Sequence, residues 1–189
     1  AYFSGGHGEA ELDQVDDGGY SLLKGRLREM NFEVVSGLDV AAGVPDDATL
    51  VVVLGPEQRF SAADSDALGR YLGGGGSALV LLDPGPPTGL EALLDEYSVE
   101  LGQDFIVDLS GLGQLFGADV SVPVVINYGD HPIAEKLPGG TMSFFPLARS
   151  VRPAAHRLKN PQITALALTH QSSWGESDLA PVTGTGGKV

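Results

Sequence analysis

Five side chains sit where chemistry would be done: His7 and Glu9 in "GGHGE", Glu57 and Arg59 in "GPEQR", and Asp83 in "DPGPP". Each follows closely on an apolar run, and an imidazole beside carboxylates can move protons or ligate a metal ion. His7 and Glu9, joined by Asp83 or by Asp130 and His131 of "GDHP", would supply nitrogen and oxygen ligands. Zinc needs three or four converging ligands, and this spacing does not force convergence. "GGHGE" is neither G-x-x-x-x-G-K-[ST] nor G-x-G-x-x-G, and the next helix starts about ten residues later, too far to offer its N-terminal amides to a phosphate. The plainer interpretation gives the glycines a tight turn with φ > 0, with His7 and Glu9 bonded to nearby backbone.

Nucleophiles are scarce in the right places. The chain has no cysteine, which removes a thiol nucleophile, disulfides and cysteine zinc sites. Serines and the four histidines (7, 131, 156 and 170) would permit a Ser-His-Asp site, but no G-x-S-x-G elbow occurs. Ser110 in "VDLSGLG" is a loop serine with no evident base. Asp130-His131-Pro132 is expected to be a turn capped by the aspartate, and Trp174 in "HQSSWGE" to anchor the last strand against the core.

These residues are positioned by alternating strands and helices. Tyr2-Phe3 opens a first strand that ends at Gly5-Gly6. Tyr20, Leu23, Leu27 and Met30 fall on one face of a helix over 17–31. "FEVV" (32–35) reads as a second strand, and the β-branched run "LVVVLGP" (50–56) as a strand buried on both faces. Ser61 and Asp64 give an S-x-x-D start signal for a helix to about Leu72. "ALVLLD" (78–83) is the next strand. Thr88 and Glu91 start a third helix with Leu90, Leu93, Leu94 and Tyr97 on its apolar face, and "DFIVD" (104–108) is a fifth strand. Such alternation predicts an α/β fold, a mainly parallel sheet with helices on both faces. Past residue 109, "GLGQLFGAD" is a loop or short helix and "VPVVIN" (122–127) and "ITALALT" (163–169) are strands. "MSFFPLARSV" is placed to extend the sheet in the antiparallel sense. The expectation is one domain over 1–180, a core of 1–110 with a sheet extension of 111–180, and a flexible tail at 181–189.

In an open α/β sheet, ligands sit beyond the carboxyl ends of the strands where the strand order reverses. With order 2-1-3-4 that crevice lies between strands one and three, and the loops carrying His7, Glu9, Glu57, Arg59 and Asp83 converge there. The formal net charge of −14 repels a phosphate backbone and argues against nucleic acid. No apolar run reaches the roughly 18 residues of a membrane span.

"YFSGGHGE", "VPDDATLVVVLGP", "FSAADSDALGRYLGGGGSALVLLDP", "GDHPIAEKL" and "THQSSWGESDL" occur in that order over residues 2 to about 180. In these the chain resembles the gliding-motility-type ABC transporter auxiliary component, an uncharacterised ABC-type transport family. The resemblance implies an extracytoplasmic (periplasmic-face) domain of a membrane-anchored parent, which fits the abrupt start and the "TGTGGKV" end. It also implies a class I glutamine amidotransferase-like, flavodoxin-like three-layer sandwich, with antiparallel additions from the C-terminal third. Catalytic relatives of that fold carry a cysteine at the elbow where this chain has Asp83-Pro84. Three functions follow for comparison. The first is a non-catalytic binding or scaffolding domain that meets permease, ATPase or envelope proteins, with neither cofactor nor metal. The second is a small-ligand sensor at the strand-order crevice. The third is a metal-assisted hydrolase using His7, Glu9 and Asp83.

Overall fold

The computed structural model describes residues 1–15, 19–155 and 162–178. Asp17 and Gly18 of the first helix expected here, His156, and the tail at 181–189 lie outside them. The described chain is mixed α/β and divides into two compact units, Ala1–Leu82 with Pro87–Leu93, and Asp83–Pro86 with the rest from Leu94 onward.

The first unit holds β1 (Tyr2–Ser4), α1 (Ser21–Glu29), β2 (Val35–Leu38), β3 (Leu50–Leu54), α2 (Ala62–Gly73), β4 (Ser77–Leu81) and the start of α3 (Glu91–Glu96). Its four strands form one sheet in the order β2-β1-β3-β4, the expected order, and every neighbouring pair is parallel. Val51, Val52, Val53 and Leu54 are all buried, as a β-branched run covered on both faces requires. Alternation along β3 sends Val52 and Leu54 to the face where Phe3, Leu12 and Leu27 cluster, with Tyr20 and Leu23 packed alongside. Val51 and Val53 serve the opposite face.

Two boundaries differ from expectation. Met30 is exposed and caps α1 rather than extending its apolar face. The second strand begins at Val35, not Phe32. Asn31 takes a left-handed conformation (φ 64°) and the Phe32 amide still donates to the Leu27 carbonyl, so the chain is leaving the helix where "FEVV" suggests a strand. Phe32 and Val34 pack on the core without pairing.

The Ser61 helix-start signal forms as expected, and the Thr88–Glu91 signal stands just ahead of a helix that starts at Glu91. Ser61 and Asp64 close a reciprocal capping box on α2, and Glu91 accepts from the Thr88 and Gly89 amides ahead of α3. Because Ser61 satisfies an otherwise orphaned helix amide, Ser61→Ala is expected to cost about 1 kcal/mol, read as a lowered urea midpoint with an unchanged slope.

The second unit holds β5 (Val99–Leu101), β6 (Phe105–Asp108), α4 (Leu112–Leu115), β7 (Val124–Val125), β8 (Asn127–Tyr128), α5 (Pro132–Glu135), β9 (Ser143–Phe144), β10 (Val151–Pro153), β11 (Ala167–Leu168) and β12 (Ser173–Glu176). Its strands form antiparallel pairs, β10-β5, β11-β8, β12-β6 and β7-β9. The fifth strand therefore does not join the parallel sheet. β6 pairs with β12, while its Ile106 and Asp108 amides donate to the Ala148 and Val120 carbonyls, so its backbone groups are used within this unit. "MSFFPLARSV" is antiparallel as expected, but it supplies β9 and the start of β10 in separate pairs rather than extending the four-stranded sheet. "ITALALT" contributes only Ala167–Leu168, and Trp174 is 45% exposed on β12 instead of anchoring it in the core. His131, not Asp130, caps α5: its Nδ1 accepts from the Ile133 amide, with Pro132 at the first helical position.

Candidate functional site

The site is built where β1 and β3 end. The chain leaving β1 is held on two sides, the Gly5 amide donating to the Leu38 carbonyl of β2 and the Ala10 amide to the Leu54 carbonyl of β3. Between those anchors the loop must turn tightly, and Gly6 and Gly8 take positive φ (99° and 75°), which side chains resist. A Cβ at Gly8 would also stand 3.1 Å from the Cβ of Glu57. The Gln58 amide donates to the His7 carbonyl at 2.7 Å, tying this loop to the one that follows β3.

His7 is thereby turned inward. Its ring stacks on Phe60, centroids 4.0 Å apart and planes 11° from parallel, and Phe60 is itself buried. Its Nδ1 faces Glu9 Oε1 at 3.4 Å and its Nε2 faces Asp64 Oδ2 at 3.3 Å. Both carboxylate side chains are only 5% exposed. The other oxygen of Glu9 accepts from the His7 amide at 2.8 Å. Asp64 Oδ2 also accepts from the Ser61 amide and hydroxyl at 2.8 and 2.6 Å. Burial pushes the Asp64 carboxyl upward, but the Ser61 hydrogen bonds and the imidazole of His7 outweigh it and hold the group below the usual aspartate range.

Of the five residues singled out in the sequence, the structure brings His7 and Glu9 into contact and sets exposed Glu57 against their loop. Arg59 is exposed and lines a separate opening of about 530 Å³ with Ser61, Ser65 and Asp66. Asp83 falls in the second unit, where its backbone carbonyl accepts from Arg149 Nη1 at 3.1 Å. Asp64 was missed as a site residue. Its capping signal was visible, but no spacing links position 64 to position 7, and only the return of α2 under the first loop joins them.

The remaining chemical candidates have structural partners. Ser110 accepts from the Leu112 amide, and its own amide donates to Asp108. His170 Nδ1 lies 2.7 Å from the Ser172 hydroxyl on an exposed turn. Among the described residues, no group of three His, Asp or Glu side chains is placed to hold a metal ion. Beside the His7 loop a cleft of about 340 Å³ is lined by Ser4, Gly5, Gly6, Gly8, Glu9 and Glu11, among others. No helix among the described residues is long and apolar enough to cross a membrane.

Comparison with known proteins places these features in context. Residues 2–185 match the model of the family described as "ABC-type uncharacterized transport system". The intraflagellar transport protein 52 homologs of Mus musculus and Homo sapiens are 33% and 30% identical over 94 residues, 47% of this chain. Those matches cover 22% and 21% of the two proteins, so the chain spans about a fifth of the length of these curated relatives. The solved structure of the mmIFT52 N-terminal domain superposes with a TM-score of 0.69 at 20% identity, covering 92% of this chain and 74% of that one. At that identity the likeness is one of fold.

Proposed function

The chain belongs to the ABC-type uncharacterized transport system family, and from that premise we propose that it is a non-catalytic binding or scaffolding domain of an ABC-type transport complex. It works on the extracytoplasmic face of the membrane and meets permease, ATPase or envelope proteins. The observation that carries this is the filling of the β1/β3 corner. That is where this strand order puts a ligand, and here His7 stacks on a buried Phe60 and faces a carboxylate at each ring nitrogen. An imidazole so engaged is withdrawn from acid-base work on a substrate, and the chain has no thiol to attack one. The interpretation of the fold as an amidotransferase-like sandwich stripped of its cysteine belongs to this proposal. It is supported by the β2-β1-β3-β4 order and by Asp83-Pro84 at the elbow.

The test is co-purification. The full-length parent protein, solubilised in mild detergent, is expected to bring down an ATPase and a permease. His7→Ala and Asp83→Ala variants that remain folded should retain both. Recovery of neither subunit, or turnover of an amide or ester substrate that His7→Ala abolishes, would overturn the proposal.

A further inference from the structure

The Glu9–His7–Asp64 arrangement has a property that a neutral histidine cannot satisfy. His7 Nδ1 and Glu9 Oε1 are both buried, neither is hydrogen-bonded, and they face each other at 3.4 Å. Nε2 faces Asp64 Oδ2 at 3.3 Å. A neutral imidazole carries one N–H, so it can serve one carboxylate and must turn a lone pair toward the other; the imidazolium donates at both nitrogens. We infer that His7 is a proton-operated latch: protonated, it bridges Glu9 on the first loop to Asp64 at the start of α2, and loss of the proton lets residues 5–10 lift from the helix.

The first loop brings Glu9 to the ring and α2 brings Asp64, while the exposed Glu57 of the loop after β3 stands against Gly8. Phe60 supplies the stacking face. The glycines that would let the loop move, Gly5, Gly6 and Gly8, also line the 340 Å³ cleft with Glu9, so release of the latch reshapes that cleft. The Asp64 carboxyl, held low by Ser61, stays charged through the range in which a histidine titrates.

The test uses the 189-residue chain with no substitution required. Ring nitrogen NMR reports the charge state of His7 against pH, and amide hydrogen exchange at Ala10 and Gln58 reports closure of the loop. After correction for intrinsic base-catalysed exchange, those two amides are expected to exchange about tenfold faster above the His7 transition than below it, the signature of a local opening rather than global unfolding. Glu9→Gln should abolish that step while amides in β3 keep their protection. The other three histidines, 131, 156 and 170, are resolved separately by their own ring signals. A ring that is neutral throughout with the proton on Glu9, or equal protection on both sides of the transition, would overturn the latch.

Discussion

Replacing Arg149 with alanine is expected to destabilise the second unit by about 4 kcal/mol. Arg149 is only 5% exposed. It donates through Nε and Nη2 to the Gly102 carbonyl at 3.0 and 2.7 Å, and through Nη1 to the Asp83 carbonyl at 3.1 Å. Hydrogen bonds from a charged donor each contribute about 1.5–3 kcal/mol, and an acceptor left buried without a partner costs about 1–3 kcal/mol. Burying the cation works against this, but the net sign is set by the two carbonyls that would be stranded. Arg149→Lys tests the geometry, because a lysine cannot reproduce the fork that reaches Gly102 twice and Asp83 once. It should recover less than half of the loss in a urea melt. Arg149→Ala should also loosen the Asp83–Pro86 segment and speed proteolysis there. A change below about 1 kcal/mol would show that water takes over the carbonyls and that Arg149 is not what holds this corner.

The same arginine shows what the sequence could and could not disclose. "MSFFPLARSV" is legible as strand-forming, but nothing in it says that residue 149 returns to residues 83 and 102. The parallel sheet was legible because its determinants are local. "LVVVL" is too uniformly apolar for a half-exposed strand, and Ser61 with Asp64, like Thr88 with Glu91, announces a helix start within four residues. The second strand slipped by three residues because Asn31 unwinds α1 through a left-handed turn that periodicity does not register. In the second unit every described strand is two to four residues long. That is too short for alternation to be counted, and their partners lie far along the chain, as β6 and β12 do. The site divides the same way. His7 and Glu9 stand next to a strand end and could be picked out, whereas Asp64 looked like a cap and nothing more.

Acid should unfold this protein through its buried carboxylates, and Asp108 should be the steepest contributor. It is 3% exposed and accepts from the Ser110 amide at 2.8 Å, the Val124 amide at 3.1 Å and the Ser173 hydroxyl at 3.3 Å. Burial disfavours its charge, but the hydrogen bonds from Ser110, Val124 and Ser173 prevail and hold its carboxyl below the ordinary aspartate value. A carboxyl lowered in the folded state binds fewer protons there than in the unfolded chain. Its contribution is complete above the unfolded value and is lost as the pH falls through the folded one, so stability declines from about pH 4 downward. Asp64 and Glu91, also lowered by hydrogen bonds that outweigh burial, add slope in the same window. Asp108→Ala removes the acceptor that joins β6 to the Val124 strand and to β12. It should cost about 3 kcal/mol at neutral pH, or about 6–12 °C in the melting temperature of a chain this size. Asp108→Asn keeps one oxygen but brings an N–H toward amides that already donate. It should lose much of the same stability and, with no proton to bind, show a flatter acid limb than the parent. Parallel acid limbs in Asp108→Asn and the parent would mean that the proton taken up on acid unfolding goes elsewhere, and that this carboxylate does not carry the junction of β6, β7 and β12.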